Sequence, residues 1–220
     1  MAWTNPGTAV AGDVLTAAFW NAQVRDNMLM GNPVFTNEAA RDAAISSPSE
    51  GQRAYLTAPT VPTAAGAVTM IPSGVQTIYN GSAWVCVTPV GAFTGASGNT
   101  TSTSFTATLT GTPGTNPSVT LVTGTVAIIS IAAYIGTGGF QYHRMSVAVS
   151  GASTIAANDD WSIFFRPYNP NPDYVQPAFG ATHFITGLTA GTNTFTLQYK
   201  VDGGVSSAFG QRRIIAQGVA

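Results

Sequence analysis

With 220 residues, 8% of them charged, 45% hydrophobic, and a formal net charge of −1, this chain carries far less charge than the ~25% of an ordinary soluble domain. Lys200 is its one lysine and Arg212-Arg213 its longest basic run, so the basic patch that announces nucleic-acid binding is missing. A monomer so short of charge is prone to associate, which a surface of Thr, Ser, Asn and Gly, together with burial against other chains, accounts for.

The opening Met1-Ala-Trp-Thr-Asn-Pro has no basic stretch followed by an apolar one, so no secretory signal is expected. Residues 1–35 hold the one long amphipathic helix pattern, Leu15 to Met28. Thr16 can cap it, with Leu15 and Trp20 as a hydrophobic staple. Trp20, Val24 and Met28 then recur at i, i+4 on one face. About 13 helical residues are marginal alone, so this face, with Phe19 and the arm residue Trp3, calls for a partner.

Residues 36–92 begin with an alanine-rich helix over Asn37–Ile45, capped by Thr36, and a strand over Gln52–Thr57. Ala58–Ala67, rich in Pro, Ala and Gly, reads as a loop or insertion. Thr77–Val87 reads as a hairpin turning at Asn80-Gly81. Cys86 excludes an intrachain disulfide, and within Trp-Val-Cys-Val it reads as a packed strand residue rather than a reactive thiol.

After a Gly/Ser/Thr/Asn linker, Thr94–Thr103, residues 93–220 carry short strands separated by turn clusters. The expected strands are Phe105–Leu109, Ser118–Val122, Thr125–Tyr134, His143–Val149, Trp161–Phe165, Ala178–Ile185, Asn193–Val201 and Gln211–Gln217. Within them, Val126–Ile135 is the longest apolar run, about half the ~20 residues of a spanning helix. It is β-branched and bounded by glycine, so it predicts a buried strand and no membrane insertion. Phe195, Leu197, Tyr199 and Val201 alternate with Thr196, Gln198 and Lys200, the period of a half-buried strand. Eight strands in this length suit a jelly roll: a mainly β chain with a jelly-roll β-sandwich, a short helical N-terminal segment and a small β-hairpin module.

Three groups of residues could carry chemistry. Asp159-Asp160 is the one acidic pair; adjacent carboxylates diverge, whereas glycoside hydrolysis needs two facing each other ~5–9 Å apart, and no calcium loop surrounds them. This predicts a solvated turn. His143 and His183 lack a neighbouring Cys or Glu for zinc or nucleophilic chemistry, so both read as structural, with no cofactor or metal expected. Arg166–Pro177 holds four prolines that restrict it, so Tyr168, Asn169, Asn171 and Tyr174 can be presented at little ordering cost. The same loop could equally cap the sandwich or pack on a neighbouring subunit.

Three segments carry a resemblance. Trp3-Thr-Asn-Pro with Ala11-Gly-Asp-Val-Leu-Thr-Ala-Ala-Phe-Trp-Asn and Val24-Arg-Asp-Asn27 resembles the N-terminal region of bacteriophage structural proteins, especially those of actinobacterial phages. Pro48-Ser-Glu-Gly-Gln-Arg-Ala-Tyr-Leu-Thr57 with Ile78-Tyr-Asn-Gly-Ser-Ala-Trp-Val85 resembles a small β-module of phage tail proteins. Gly191–Gly204, followed by Ser207–Ala216, resembles the end of a jelly-roll head on phage fibre and tail proteins. The resemblance implies three parts: an anchor at 1–35, the module at 36–92 and the head at 93–220. It implies a non-enzymatic homotrimer in the virion, assembled in the host cytoplasm. Trp3, Phe19, Trp20, Val24 and Met28 would join it to other virion proteins, and the head would attach to the host surface, with a cell-wall glycan as a further partner. A capsid head fibre or decoration protein is the alternative, a cell-wall polysaccharide depolymerase a more distant one.

Overall fold

The computed structural model describes residues 31–136, 139–167 and 178–220. Strand β1 (Val34–Phe35) leads to helix α1 (Glu38–Ala44) and strand β2 (Arg53–Leu56). Asn37, not Thr36, caps α1: its side chain accepts a 3.0 Å hydrogen bond from the Ala40 amide. Asn and Thr both suit the position, and the chain uses the one whose carboxamide lies three residues before a free amide. Strands β5 (Val75–Tyr79) and β6 (Trp84–Cys86) form the expected hairpin, with Gly81 at φ +88°. Asn80 Oδ1 accepts from the Ser82 and Ala83 amides and closes the turn. These strands form a four-stranded sheet in the order β1-β2-β5-β6.

The larger body is a β-sandwich. Its eight principal strands are β7 (Val90–Thr94), β10 (Ser118–Thr123), β11 (Val126–Gly136), β12 (His143–Gly151), β13 (Ile163–Phe165), β14 (Ala178–Thr186), β15 (Gly191–Val201) and β16 (Ser207–Val219). One sheet runs β14-β11-β16-β7 and the other β13-β12-β15-β10, with every pairing antiparallel. The chain crosses between sheets at every connection except β12 to β13, the strand order of a jelly roll. The jelly-roll expectation therefore holds, and Phe195, Leu197, Tyr199 and Val201 are all fully buried in its core. Opposite them lie Ile129, Ile131, Ile135 and Ile214, from the other sheet.

The expected parts do not divide where the sequence pattern changes. The boundary drawn between residues 92 and 93 falls inside β7, whose Val90–Thr94 pairs with Arg212–Ala216 of β16. Ala58–Ala67, expected as a loop or insertion, supplies β3 (Thr63–Ala65), which with β4 (Val68–Met70) adds an outer strand to each sheet: β3 beside β10, β4 beside β7. Strands of three residues show no period, and their pairing is long-range, so composition concealed them. The expected linker Thr94–Thr103 likewise contains β8 (Gly98–Thr100), which pairs with β16 and with β9 (Thr110–Gly111). Phe105–Leu109 is not a strand; only Thr106 makes a bridge, to Tyr199. The eighth jelly-roll strand is thus β7.

The small sheet shares the sandwich core, since Leu56, Val75 and Cys86 belong to the same buried cluster as Ile129 and Leu197. At Gly218 of β16 an added Cβ would lie 2.8 Å from the Cys86 carbonyl, so the two bodies approach backbone to backbone. Glu38 secures the segment leading to β3: its carboxylate accepts from the Thr60 amide and hydroxyl and from the Val61 amide at 2.9–3.1 Å. Burial raises the Glu38 pKa, but these donors outweigh it and hold the carboxyl below its ordinary value. Glu38→Ala is expected to lower stability by about 1–3 kcal/mol, read as a shifted urea midpoint with unchanged slope.

Candidate functional site

The sandwich has two outer faces of opposite chemistry. On the β14-β11-β16-β7-β4 sheet, pairing registers define the outward rows. Phe184, Ile128 and Gln217 form one; Thr182, Ser130, Ile215, Gly91 and Met70 the next; Gly180, Ala132, Arg213, Phe93 and Val68 a third. Phe184 is 66% exposed and Val68 53%. The polar groups of these rows are largely engaged already. The Ser130 and Thr182 hydroxyls bond each other at 2.7 Å, and Gln217 Nε2 donates to the Val87 carbonyl at 2.8 Å. The one formal charge in the three rows, Arg213, lies 5.1 Å over the Phe93 ring. Covering this surface would strand few polar groups, the condition under which burial is favourable.

A β-bulge sets this arrangement. The β11–β16 register shifts between Ala132 and Tyr134, where Gln211 has φ +52°. An extra residue reverses which side chains point inward. Arg212 therefore enters the sandwich and is fully buried, while Arg213 faces out. Inside, Arg212 donates to the Pro113 and Ala96 carbonyls and to the Tyr199 hydroxyl, which itself donates to Asn116 Oδ1 at 2.6 Å. Burial pushes the Tyr199 phenol up to about 12 despite the nearby guanidinium. The arginine pair, read from the sequence as a unit, is split between core and surface.

The opposite face is a hydroxyl surface, with Thr120 and Thr194 bonded across β10 and β15 at 2.8 Å. At one end it changes character. Phe164, Arg144 and Lys200 lie side by side across β13, β12 and β15. Two cations directly opposite repel, and two carboxylates compensate: Asp159 Oδ1 lies 2.8 Å from Lys200 Nζ and 3.7 Å from Arg144 Nε, and Asp202 lies 3.6 Å from Arg144 Nε. Tyr142 meets Phe164 edge-on, with centroids 5.5 Å apart at 73°. The Arg144 guanidinium is 4.7 Å from the Tyr142 centroid, and that of Arg166 is 5.2 Å away. Phe164 is 51% exposed in this charged setting.

Asp159 was expected in a solvated turn; it sits in a turn and also pairs with Lys200. The acidic turn is stapled too, since Asn158 Oδ1 accepts from the Trp161 amide and Ser146 donates to the Asn158 carbonyl. His143 is fully buried, with Nε2 3.4 Å from the Gly139 carbonyl and Nδ1 without a partner among the described residues. His183 alternates inward on β14, opposite Ile129. Burial lowers the pKa of both, Gly139 and Asp202 partly opposing it at His143. Their folded pKa values lie below the unfolded value of ~6.5, so the unfolded state binds more protons as pH falls through that value. Stability present above pH ~6.5 is lost on acidification; thermal midpoints between pH 8 and 5 should show this, and His143→Gln should flatten it. Cys86 is buried, its thiol raised to about 11 by burial, the behaviour of a packed residue. Trp3, Phe19, Trp20, Val24, Met28, Tyr168, Asn169, Asn171 and Tyr174 lie outside the described residues.

No protein-family model matches the chain, and no curated protein matches it. Solved structures resemble it at low identity. The Eiger TNF of S. frugiperda aligns over 60% of this chain and 92% of its own, at 10% identity and a TM-score of 0.42. The CBM22-1 xylan-binding domain of Paenibacillus barcinonensis Xyn10C aligns over 59% and 87%, at 9% identity and a TM-score of 0.23. The CBM22-1-GH10 modules of Clostridium thermocellum Xyn10B align over 57% of this chain and 27% of that one, at 12% identity and a TM-score of 0.26.

Proposed function

We propose that this chain is a non-enzymatic structural protein of a bacteriophage virion, a homotrimeric tail fibre or tail-tip component whose sandwich serves host-surface attachment. The observation that carries the reading is the contrast between the two sandwich faces: hydroxyls and ion pairs on one, apolar rows with a single charge on the other. The occupant of the apolar face is another copy of the chain. Three outward rows ~6.6 Å apart, crossing up to five strands spaced ~4.8 Å, span roughly 400 Å², about half of the ~800 Å² each partner contributes to a standard interface. Interface cores lose charged residues, so an interface on this face would account for the poverty of charge in the sequence. The apolar rows reach the sheet edge at Phe184 of β14, so one copy's edge can rest against the next copy's face. Such a heterologous contact closes into a ring when the rotation between successive copies divides a full turn, which a trimer requires.

The test is the solution mass of the purified chain by sedimentation equilibrium, with immunogold labelling of phage particles. Three times the chain mass and label confined to the tail are expected. A monomer at micromolar concentration removes the assembly reading, and unlabelled particles remove the virion assignment. Label on the capsid would instead favour a head fibre.

A further inference from the structure

We propose that the pocket between helix α1 and strands β2, β5, β6 and β10 binds a small neutral carboxamide, its apolar body against Leu56, Val61 and Val122 and its amide group between Arg41 and Thr77. This site stands apart from the assembly and virion readings. The pocket measures about 180 Å³, against the ~150 Å³ of an apolar cavity that takes up benzene. Its inner wall is core: Leu56 and Cys86, at 0% and 2% exposed, belong to the buried cluster of the sandwich.

Three observations point to this ligand chemistry. Arg41 is only 5% exposed, and of its guanidinium only Nε is engaged, donating to Asp42 Oδ1 at 2.8 Å. The two terminal nitrogens meet no acceptor among the described residues, yet neither is sealed from solvent. The guanidinium lies 4.6 Å over the Trp84 ring, so the donor fork is held before a ligand arrives, and a largely buried donor gains from any acceptor that reaches it. Thr77 supplies the second polar group. Its hydroxyl donates to the Ala54 carbonyl at 3.0 Å, which leaves its oxygen to accept. A carboxamide carries both complements, a carbonyl that accepts and an N–H that donates. Charge then excludes the ionic alternatives. Asp42 already pairs with Arg41, and the Glu38 oxygens are taken by Thr60 and Val61. The Glu38 charge still reaches the pocket, since it adds to burial in raising the Cys86 thiol to about 11. An anion would be repelled by Glu38 and a cation by Arg41. A polyhydroxylated ligand would lay its hydroxyls against Leu56, Val61 and Val122 without partners.

The experiment titrates the purified full chain with benzamide, benzoate and toluene, which share a ring and differ in the group it carries. The Trp84 indole N–H signal in a proton–nitrogen correlation spectrum, assigned through Trp84→Phe, reports occupancy. Benzamide is expected to bind at about millimolar concentration, as suits so small a ligand, with benzoate and toluene each at least tenfold weaker. Arg41→Met keeps the aliphatic stem over Trp84 and removes the donor fork. It should weaken benzamide tenfold or more and leave toluene unchanged, a split that lost folding would not produce. Val122→Phe, which fills the pocket and keeps Arg41, should abolish binding of all three, and Thr194→Ala should alter none. An unmoved Trp84 signal, benzoate bound as tightly as benzamide, or undiminished benzamide binding by Arg41→Met would overturn the proposal. Should Arg41→Met fail to fold, Val122→Phe decides: benzamide binding that survives it places the ligand elsewhere and overturns the site. Solution mass and particle labelling are untouched by any of these results.

Discussion

Phe184→Asp and Ile215→Asp are each expected to convert the assembled protein into monomers without unfolding it. Phe184 is 66% exposed and Ile215 half-buried on the outer side of its sheet, so either carboxylate stays hydrated in an isolated subunit. In an assembly it would be pressed against Met70, Phe93 and their equivalents with no cation available except Arg213, already seated over Phe93. An uncompensated buried charge costs about 3–5 kcal/mol, or roughly a hundred- to several-thousandfold in each association constant. Sedimentation equilibrium should report one chain mass, while a urea titration at low concentration should show little change in the monomer. Thr194→Asp on the opposite face is the control and should remain assembled. If both apolar-face variants keep the parent's mass, copies do not meet there.

Arg212→Met should be the most damaging single change inside the sandwich that leaves its volume nearly intact. Met can replace the aliphatic stem but none of the donors. The Pro113 and Ala96 carbonyls and the Tyr199 hydroxyl would each lose a partner. A buried polar group left unpaired costs about 1–3 kcal/mol, and part of the loss is returned because no guanidinium then has to be desolvated. The expected net is a destabilisation of about 2–4 kcal/mol, seen as a lower urea midpoint. Tyr199→Phe, which removes one hydroxyl from the same network, should cost about 1 kcal/mol. A smaller effect for Arg212→Met than for Tyr199→Phe would mean that water reaches the Pro113 carbonyl and that the guanidinium does not organise this end of the fold.

The long strands were legible from residue pattern. β15 alternates apolar and polar side chains from Phe195 to Val201, and β11 is a β-branched apolar run bounded by glycine; at that length each pattern has one reading. The same is true of Asn80-Gly81, where an amide and a positive φ serve the turn locally. Each of these signals is carried within a dozen consecutive residues.

What the pattern missed depends on partners distant in sequence. β3, β4 and β7 are three to five residues long, too short for a period, and each is a strand because an edge waits for it tens of residues away. Arg212 and Arg213 look alike in the chain, and one residue of bulge at Gln211 sends one to the core and the other to the surface. Arg144, Asp159, Lys200 and Asp202 come from three stretches of the chain, so their convergence is invisible until β12 and β15 lie side by side. Composition alone indicated that some large face would tolerate burial. Which face could be known only after the strands paired, because the register decides that Ile128, Ile215 and Phe93 stand together and that the charges gather on the far side.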